Sequence, residues 1–379
     1  MSQASSAIDN HPLVLAAQRL AREVLAPDAA RIDREAAFPA AALQAMADAG
    51  LCAMTIPPEY GGNPANEAVI CRVTEELAKG CPSTAGVLMA FVIGIAPIVN
   101  QGTPEQKQAY LPDLAKARRS VCFAVTEAHT GSDVAAISTT ATRKGDSWVL
   151  NGKKALIGNA GGADLCILAA KTDPAAGHKG VSVFIVDAKT PGYSVSHIYE
   201  KMGMRGTTTG EITLDNVEVP ASALLGVPGK GSGYMLQTLD MARLTLAAEA
   251  LGLSQAAMDE AVAYAKQRVT FGETLAQRQG IQFMLADMAV PLHATRVMLY
   301  HACDLAMQGK SFTQEAAMVK LFASEMAQKV TDCALQIHGG WGLVDRSKVE
   351  KLYRDARYTR IWEGASEIQR MIISRGLLA

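Results

Sequence analysis

Apolar residues recur at three- and four-residue spacing from about residue 12 to 118, as in Leu13, Ala16, Leu20 and Val24 and again in Leu43, Met46 and Ala49. This period predicts helices, with loops where Pro57-Pro58 and Gly61-Gly62 interrupt it. From about residue 120 the period falls to two. Residues 138–143, 147–150, 165–169, 181–186, 193–196 and 211–214 are short runs rich in β-branched or aromatic side chains, and Asn151-Gly152 and Pro191-Gly192 mark turns between them. Such a series predicts a small antiparallel barrel or sandwich. Beyond Pro228 the helical period returns. Between residues 311 and 338 there is neither Gly nor Pro, and Val319, Phe322, Met326, Val330, Cys333 and Ile337 trace one apolar stripe. A helix of that length is about 40 Å long, and with 231–268 and 274–308 it predicts a C-terminal four-helix bundle.

The fold class is therefore α+β, in the order N-terminal helical domain (1–118), β domain (119–228) and helical bundle (229–379). No repeat or low-complexity linker separates the parts, so they are expected to pack as one body. Residues 229–233, Gly-Lys-Gly-Ser-Gly, read as a flexible junction, because they lack the glycine spacing and the βαβ setting of a dinucleotide loop.

Composition narrows the class. The chain has 379 residues with 36 Lys+Arg against 37 Asp+Glu, a net charge of −1. A near-neutral balance without a basic stripe argues against nucleic-acid binding. The apolar run 85–99 is shorter than the roughly 20 residues of a membrane span and contains Pro97, so it reads as a buried helix. The N-terminus lacks a basic stretch followed by an apolar one, and the seven cysteines form no C-x-x-C pair. Both features predict a cytoplasmic protein with reduced, buried thiols. The dispersed histidines predict no metal site.

Two segments carry chemistry. Residues 123–133, Phe-Ala-Val-Thr-Glu-Ala-His-Thr-Gly-Ser-Asp, begin as a strand and break into hydroxyls and glycine. Exposed N–H groups and hydroxyls there suit a polar ring edge or a phosphate, although helix caps use the same residues. In residues 361–369, Ile-Trp-Glu-Gly-Ala-Ser-Glu-Ile-Gln, a capping box of Ser366 with Gln369 puts Glu363 on the loop ahead of a helix. Held in an apolar slot, Glu363 would have the raised pKa of a general base; the alternative is a solvated surface carboxylate.

The order of these motifs resembles the acyl-CoA dehydrogenase family. The likeness runs through Phe123-Ala-Val-Thr-Glu with Gly131-Ser-Asp133, Lys201-Met-Gly-Met-Arg-Gly206, Arg268-Val-Thr-Phe-Gly272 and Gln336-Ile-His-Gly-Gly340. It continues through Tyr353-Arg-Asp-Ala356 and Glu363-Gly364 with Glu367-Ile-Gln-Arg370, and residues 237–243 are closest to the short-chain type. The resemblance implies an FAD enzyme that removes hydrogen from Cα and Cβ of an acyl-CoA, with Glu363 as catalytic base. Phe123, Val125, Thr126, Gly131 and Ser132 would hold the flavin, Ser132 also facing CoA. Arg268 and Gln279 would reach FAD from a neighbouring subunit, with Phe271 in the same cofactor set. Gln336, Gly339 and Gly340 would meet its adenine side, and Ala365, Ser366 and Glu367 would close over it. Asp240, Arg243 and Gly364 would contact substrate. A homotetramer built as a dimer of dimers, and an electron-transfer flavoprotein as partner, are also implied. An oxidase or enoyl-CoA reductase is the nearest alternative, and a non-catalytic flavin-fold binding protein is the alternative of another class.

Leu156-Ile157-Gly158 stands where the family has Trp-Ile-Thr against the flavin, so Leu156 and Gly158 are expected at the cofactor without its aromatic stack or hydroxyl. Residues 127–131, Glu-Ala-His-Thr-Gly, likewise replace the family's Pro-Gly-Ala-Gly run.

Overall fold

Proline and polar caps start the N-terminal helices. In the computed structural model, which describes residues 7–345 and 347–378, helix α1 (Pro12–Leu20) opens on a proline. Its cap is the His11 ring, which accepts from the Leu13 N–H. It continues through a π turn into α2 (Ala26–Glu35), followed by α3 (Ala40–Asp48). Asn66 caps α4 (Glu67–Gly80) by accepting from the Val69 N–H at 2.9 Å, and Thr103 with Gln106 forms a capping box on α6 (Pro104–Ala115). Between them, α5 (Pro82–Gln101) carries the long apolar run. By length and composition it could cross a membrane, but 78% of its most apolar window is buried inside the protein. Pro97 sits within it without ending it.

Eight strands form one sheet, seven of them in the order β6–β7–β3–β2–β4–β5–β8 and β1 off this path beside β4. They are β1 (Val121–Ala124), β2 (Thr140–Lys144), β3 (Ser147–Ile157), β4 (Leu165–Lys171), β5 (Val181–Asp187), β6 (Tyr193–Ile198), β7 (Gly210–Pro220) and β8 (Leu224–Leu225). Of the two expected forms, barrel or sandwich, a barrel does not close. Among the described residues β6 and β8 end the path unpaired to each other, and β2 meets β4 at the single pair Thr140 with Lys171. The two halves splay there and face each other across Trp148, Leu150 and Leu214 on one side and Cys166, Phe184 and Val186 on the other. The sheet is also not wholly antiparallel, since β1 and β4 run parallel from Val121 opposite Leu165. The opposite face of β4 and β5, with Ile167, Val183 and Ile185, packs into the N-terminal helical core. Burial on both faces explains why these strands are apolar without alternation.

Two local expectations are corrected. Asn151-Gly152 is a bulge inside β3, not a turn: Leu150 pairs with Val217 and Gly152 with Leu214. Gly152 takes φ +150°, and a Cβ there would lie 2.5 Å from Thr139 Oγ1. The 229–233 junction is packed rather than loose. The Gly229 N–H donates to Ser182 Oγ, and a Cβ on Gly231 would stand 2.9 Å from the Ser182 backbone. Pro191-Gly192 is a turn, with Gly192 at φ +87°.

The C-terminal part consists of α7 (Gly231–Gln267), α8 (Gln279–Met307), α9 (Thr313–His338), α10 (Lys348–Tyr358) and α11 (Ser366–Leu378). A small hairpin, β9 (Val269–Thr270) with β10 (Glu273–Thr274), delays α8 past the expected residue 274. Val319, Met326, Val330 and Ile337 of the stripe are buried between α7, α8 and α9, whereas Phe322 is 38% exposed. Val349, Leu352 and Ala356 of α10 join the same core, as do Ala68 and Cys71 of α4 from the N-terminal part.

Candidate active site

Where α10 ends, the chain turns left-handed at Glu363 (φ +54°) and Gly364 (φ +96°) before α11 begins at Ser366. Glycine takes such a φ at no cost; a glutamate there is an uncommon conformation held by its surroundings. Lys320 of α9, 1% exposed, donates from Nζ to the Gly364 carbonyl at 2.5 Å. Gln369 Nε2 donates to the carbonyls of Glu363 (3.3 Å) and Gly364 (2.9 Å).

The capping box expected of Ser366 and Gln369 is not made. Ser366 Oγ donates to Glu325 Oε1, its N–H donates to the Arg360 carbonyl, and the Gln369 amide is spent on the carbonyls that the left-handed turn exposes. Even so, Glu363 stands on the loop ahead of the helix. Its carboxyl is pushed up from the ordinary range by burial, against which the Lys320 charge, the Trp362 indole and Arg243 act. Burial lowers the Lys320 ammonium to about 8, with the Glu363 charge acting the other way. The apolar slot includes Trp362, packed edge-on to Tyr358 with centroids 5.3 Å apart.

At the end of β1 the chain leaves the sheet through residues 125–133. Glu127, to which no sequence motif assigns a role, organises this loop. Its carboxylate accepts from the N–H and hydroxyl of both Ser138 and Thr139 and from the Lys154 ammonium at 2.8 Å. Burial alone would raise its pKa, but Lys154 and these donors outweigh burial and hold it down to about 2. Lys154, fully buried on β3, also donates to the Val125 carbonyl, and the Ala155 N–H donates to the Thr126 carbonyl. Thr126, Gly131 and Ser132 thus sit on a loop fixed to β3. Phe123 is partly buried against the N-terminal core, and Val125 with it. A few residues along β3, Leu156 is 62% exposed at φ +58° and precedes the open Gly158.

A third group lies at the far end of the bundle. Arg268, Gly339 and Gly340 line one cavity of about 540 Å³ with Tyr264, His338 and Trp341. Tyr264 and His338 stack at 4.3 Å. Beside it Phe271 is 98% exposed at φ +51°, with the Arg278 guanidinium over its ring, and Gln279 starts α8. Gln336 lies in the last turn of α9 and the Gly340 turn follows.

Arg243 and Asp240 of α7 pair with each other, and Asp240 also accepts from Thr313 Oγ1 at 2.7 Å. Arg243 is only 4% exposed. Burial lowers its pKa, with Asp240 and then Glu363 acting the other way. Lys320 carries no signal in the sequence, being one of several charges along its helix, whereas Glu249 is the sole charge in the apolar run 244–253, the mark of a buried carboxylate.

Residues 9–118, 122–217 and 229–378 match in turn the models of the acyl-CoA dehydrogenase N-terminal, middle and C-terminal domains. The human mitochondrial short-chain specific acyl-CoA dehydrogenase is 43% identical over 98% of this chain and 90% of its own. The acryloyl-CoA reductase (NADH) of Anaerotignum propionicum is 41% identical over 96% and 92%. The structure of butyryl-CoA dehydrogenase from Megasphaera elsdenii superposes with a TM-score of 0.95 at 35% identity, covering 100% of this chain and 99% of that one. The chain belongs to the acyl-CoA dehydrogenase family of flavin-dependent oxidoreductases.

Proposed function

We propose that this protein binds FAD and dehydrogenates a short acyl-CoA thioester to the 2-enoyl-CoA, with Glu363 as the base. The observation that carries the reading is the Glu363–Gly364 turn: a carboxylate held in strained backbone, desolvated, and faced by a buried ammonium.

The chain has room and donors for the cofactor. A Cβ on Gly339 or Gly340 would meet nothing within 4 Å, on Gly131 only Thr126 Cγ2 at 3.8 Å, and on Gly158 only Ala90 Cβ at 4.0 Å. Thr126 and Ser132 offer hydroxyls beside one open stretch, and Arg268 offers a guanidinium suited to a diphosphate beside the other. When bound, FAD supplies the two-electron acceptor for the β-hydrogen.

Everything else falls to the protein. Glu363 removes the α-proton, and its desolvation makes it a stronger base than a carboxylate in water. The Glu363 N–H offers a donor to the thioester oxygen, where negative charge develops as the proton leaves. Lys320 and Gln369 fix the turn that aims both groups, which is the orientation such a paired transfer requires.

Exposed apolar side chains support a homo-oligomer. Phe283, Val290 and Val297 of α8, 57–70% exposed, repeat at seven-residue spacing and so form one stripe that a second copy would cover. We assign the assembly as a tetramer, with Arg268, Phe271 and Gln279 serving a neighbour's cofactor. An electron-transfer flavoprotein is the proposed acceptor. The likeness to a relative named as a reductase favours a second reading, reduction of a 2-enoyl-CoA at the same site.

Anaerobic mixing of the purified protein with butyryl-CoA tests the proposal. The wild type should bleach its flavin absorbance, and Glu363→Gln should keep FAD while losing nearly all bleaching. Unchanged reduction in Glu363→Gln would remove Glu363 as base, and bleaching by NADH with crotonyl-CoA turnover would favour the reductase.

A further inference from the structure

Glu249 is a fully buried carboxylate that no step above uses. It lies on α7, 0% exposed, and both carboxylate oxygens lack a hydrogen-bond partner within the protein. Buried polar atoms are almost always paired, so a carboxyl left open on both oxygens calls for a partner from outside the chain.

Its position says which partner. A Cβ on Gly86 of α5 would stand 3.2 Å from Glu249 Oε1, 3.2 Å from Trp362 Cη2 and 2.8 Å from Met204 Cε. Glu249 Oε1 and the tip of Trp362 therefore flank the same point, at the seam where α5, α7 and the loop carrying Met204 meet. Trp362 is the residue immediately before the base. The neighbouring side chains of α5, Ala85 and Val87, are apolar and buried. From Glu363, the indole thus leads to one acidic group.

The geometry points to Glu249 as the specificity-determining residue at the distal end of the acyl site, receiving a hydrogen-bond donor, a hydroxyl or amino group, at the far end of a short acyl chain. This rests on the dehydrogenation reading for the location of the acyl chain. It adds the class of acyl group: polar-ended rather than plain aliphatic. Glu249 also feels the charges of Asp355 and Glu363, with Lys351 opposing them, and burial raises its pKa well above the ordinary value. A neutral carboxylic acid both donates and accepts, which suits a hydroxyl; an amine would arrive as a cation and draw the ionised form. A site built to hydrogen-bond a substrate group discriminates strongly against the analogue that lacks it.

The test compares 4-hydroxybutyryl-CoA and 4-aminobutyryl-CoA with pentanoyl-CoA, the apolar isostere of both. Dissociation constants of the wild type, its FAD held reduced so that no thioester can be oxidised, are read by calorimetric titration, which needs no turnover. Failure of dehydrogenation would therefore leave this comparison intact. At least one polar-ended thioester should bind tenfold or more tightly than pentanoyl-CoA. Glu249→Leu should abolish or reverse that ratio, while Glu249→Gln, which keeps a donor and an acceptor, should retain most of it for the hydroxyl. Equal binding of all three thioesters by the wild type, or tighter binding of pentanoyl-CoA, overturns the assignment without recourse to any variant.

Discussion

The Lys320 ammonium lies under the Glu363–Gly364 turn, donating to the Gly364 carbonyl at 2.5 Å while its charge faces the carboxylate one residue earlier. One side chain therefore fixes the backbone of the proposed base and, against the larger effect of burial, lowers its proton affinity. Replacing it by methionine separates the two roles, because the Gly364 carbonyl keeps its bond from Gln369.

Lys320→Met should move the acid limb of flavin reduction to higher pH. The positive charge favours ionised Glu363, so removing it raises the carboxyl further; the fraction of active base at a given pH then falls. In the wild type that limb should already lie above the usual carboxylate value of about 4.5, since burial raises Glu363. A tenfold loss in reduction rate near neutral pH, recovered as pH rises, is expected from pH-dependent stopped-flow. A uniform loss at every pH would mean that Lys320 acts only through structure. Folding should change by about 1 kcal/mol or less, because a buried amine with a lowered pKa gives up a desolvation cost along with its bond.

Period and punctuation located the helices and most strands, because burial of one face is written in the sequence as spacing. What failed depends on contacts distant in sequence. Gly152 reads as a turn until Thr139 is seen crowding it, and the choice between barrel and sandwich stays open until β2 and β4 are found to share one pair. In the site, Glu363 is legible from its flanking Trp and Gly. Lys320 is not, and Gln369 is legible only as a helix cap, since the targets of both are backbone carbonyls, which no residue pattern marks.

Glu127 and Lys154 offer a stability test with a defined pH window. The folded carboxyl is lowered to about 2 against an ordinary value of 4.5. A lowered folded pKa contributes stability present above the unfolded value and lost as pH falls through the folded one. Wild-type stability should therefore drop between about pH 4.5 and 2. Lys154→Met strands the carboxylate and should cost about 3–5 kcal/mol at pH 7, with the deficit narrowing toward pH 2 as Glu127 protonates. Chemical denaturation across that range checks it; a pH-independent deficit would contradict the ion-pair account. Flavin affinity should fall as well, since the pair holds residues 125–127 against β3.

Two glycines of α7 should respond in opposite directions to alanine. A Cβ on Gly252 would stand 2.1 Å from the Glu75 carbonyl of α4, whereas on Gly233 it would meet nothing within 4 Å. Gly252→Ala must push two packed helices apart and should cost about 2 kcal/mol or more. Gly233→Ala gains helix propensity and should stabilise by about 0.5–1 kcal/mol. Thermal melts of the two variants decide the matter, and equal melting temperatures would refute the close α4–α7 approach.

Glu249 carries a pH signature of the opposite sense to Glu127. Every charge facing it bears on its titration: Asp355 and Glu363 raise it after burial, and Lys351 opposes them. Lys351 does little to neutralise it, because its ammonium is bound to Asp355 at 2.5 Å. A raised folded pKa contributes stability fully present below the unfolded value of about 4.5 and lost as pH rises through the folded one. Wild-type stability should thus decline from acid toward alkaline pH. Glu249→Leu, similar in volume and without a proton to lose, should show a shallower decline and gain on the wild type as pH increases. Taking the difference between the two curves cancels the same-signed contribution of Glu363. Parallel curves from pH 5 to 9 would mean that Glu249 is ionised throughout, and a permanent partner for its charge would then have to exist.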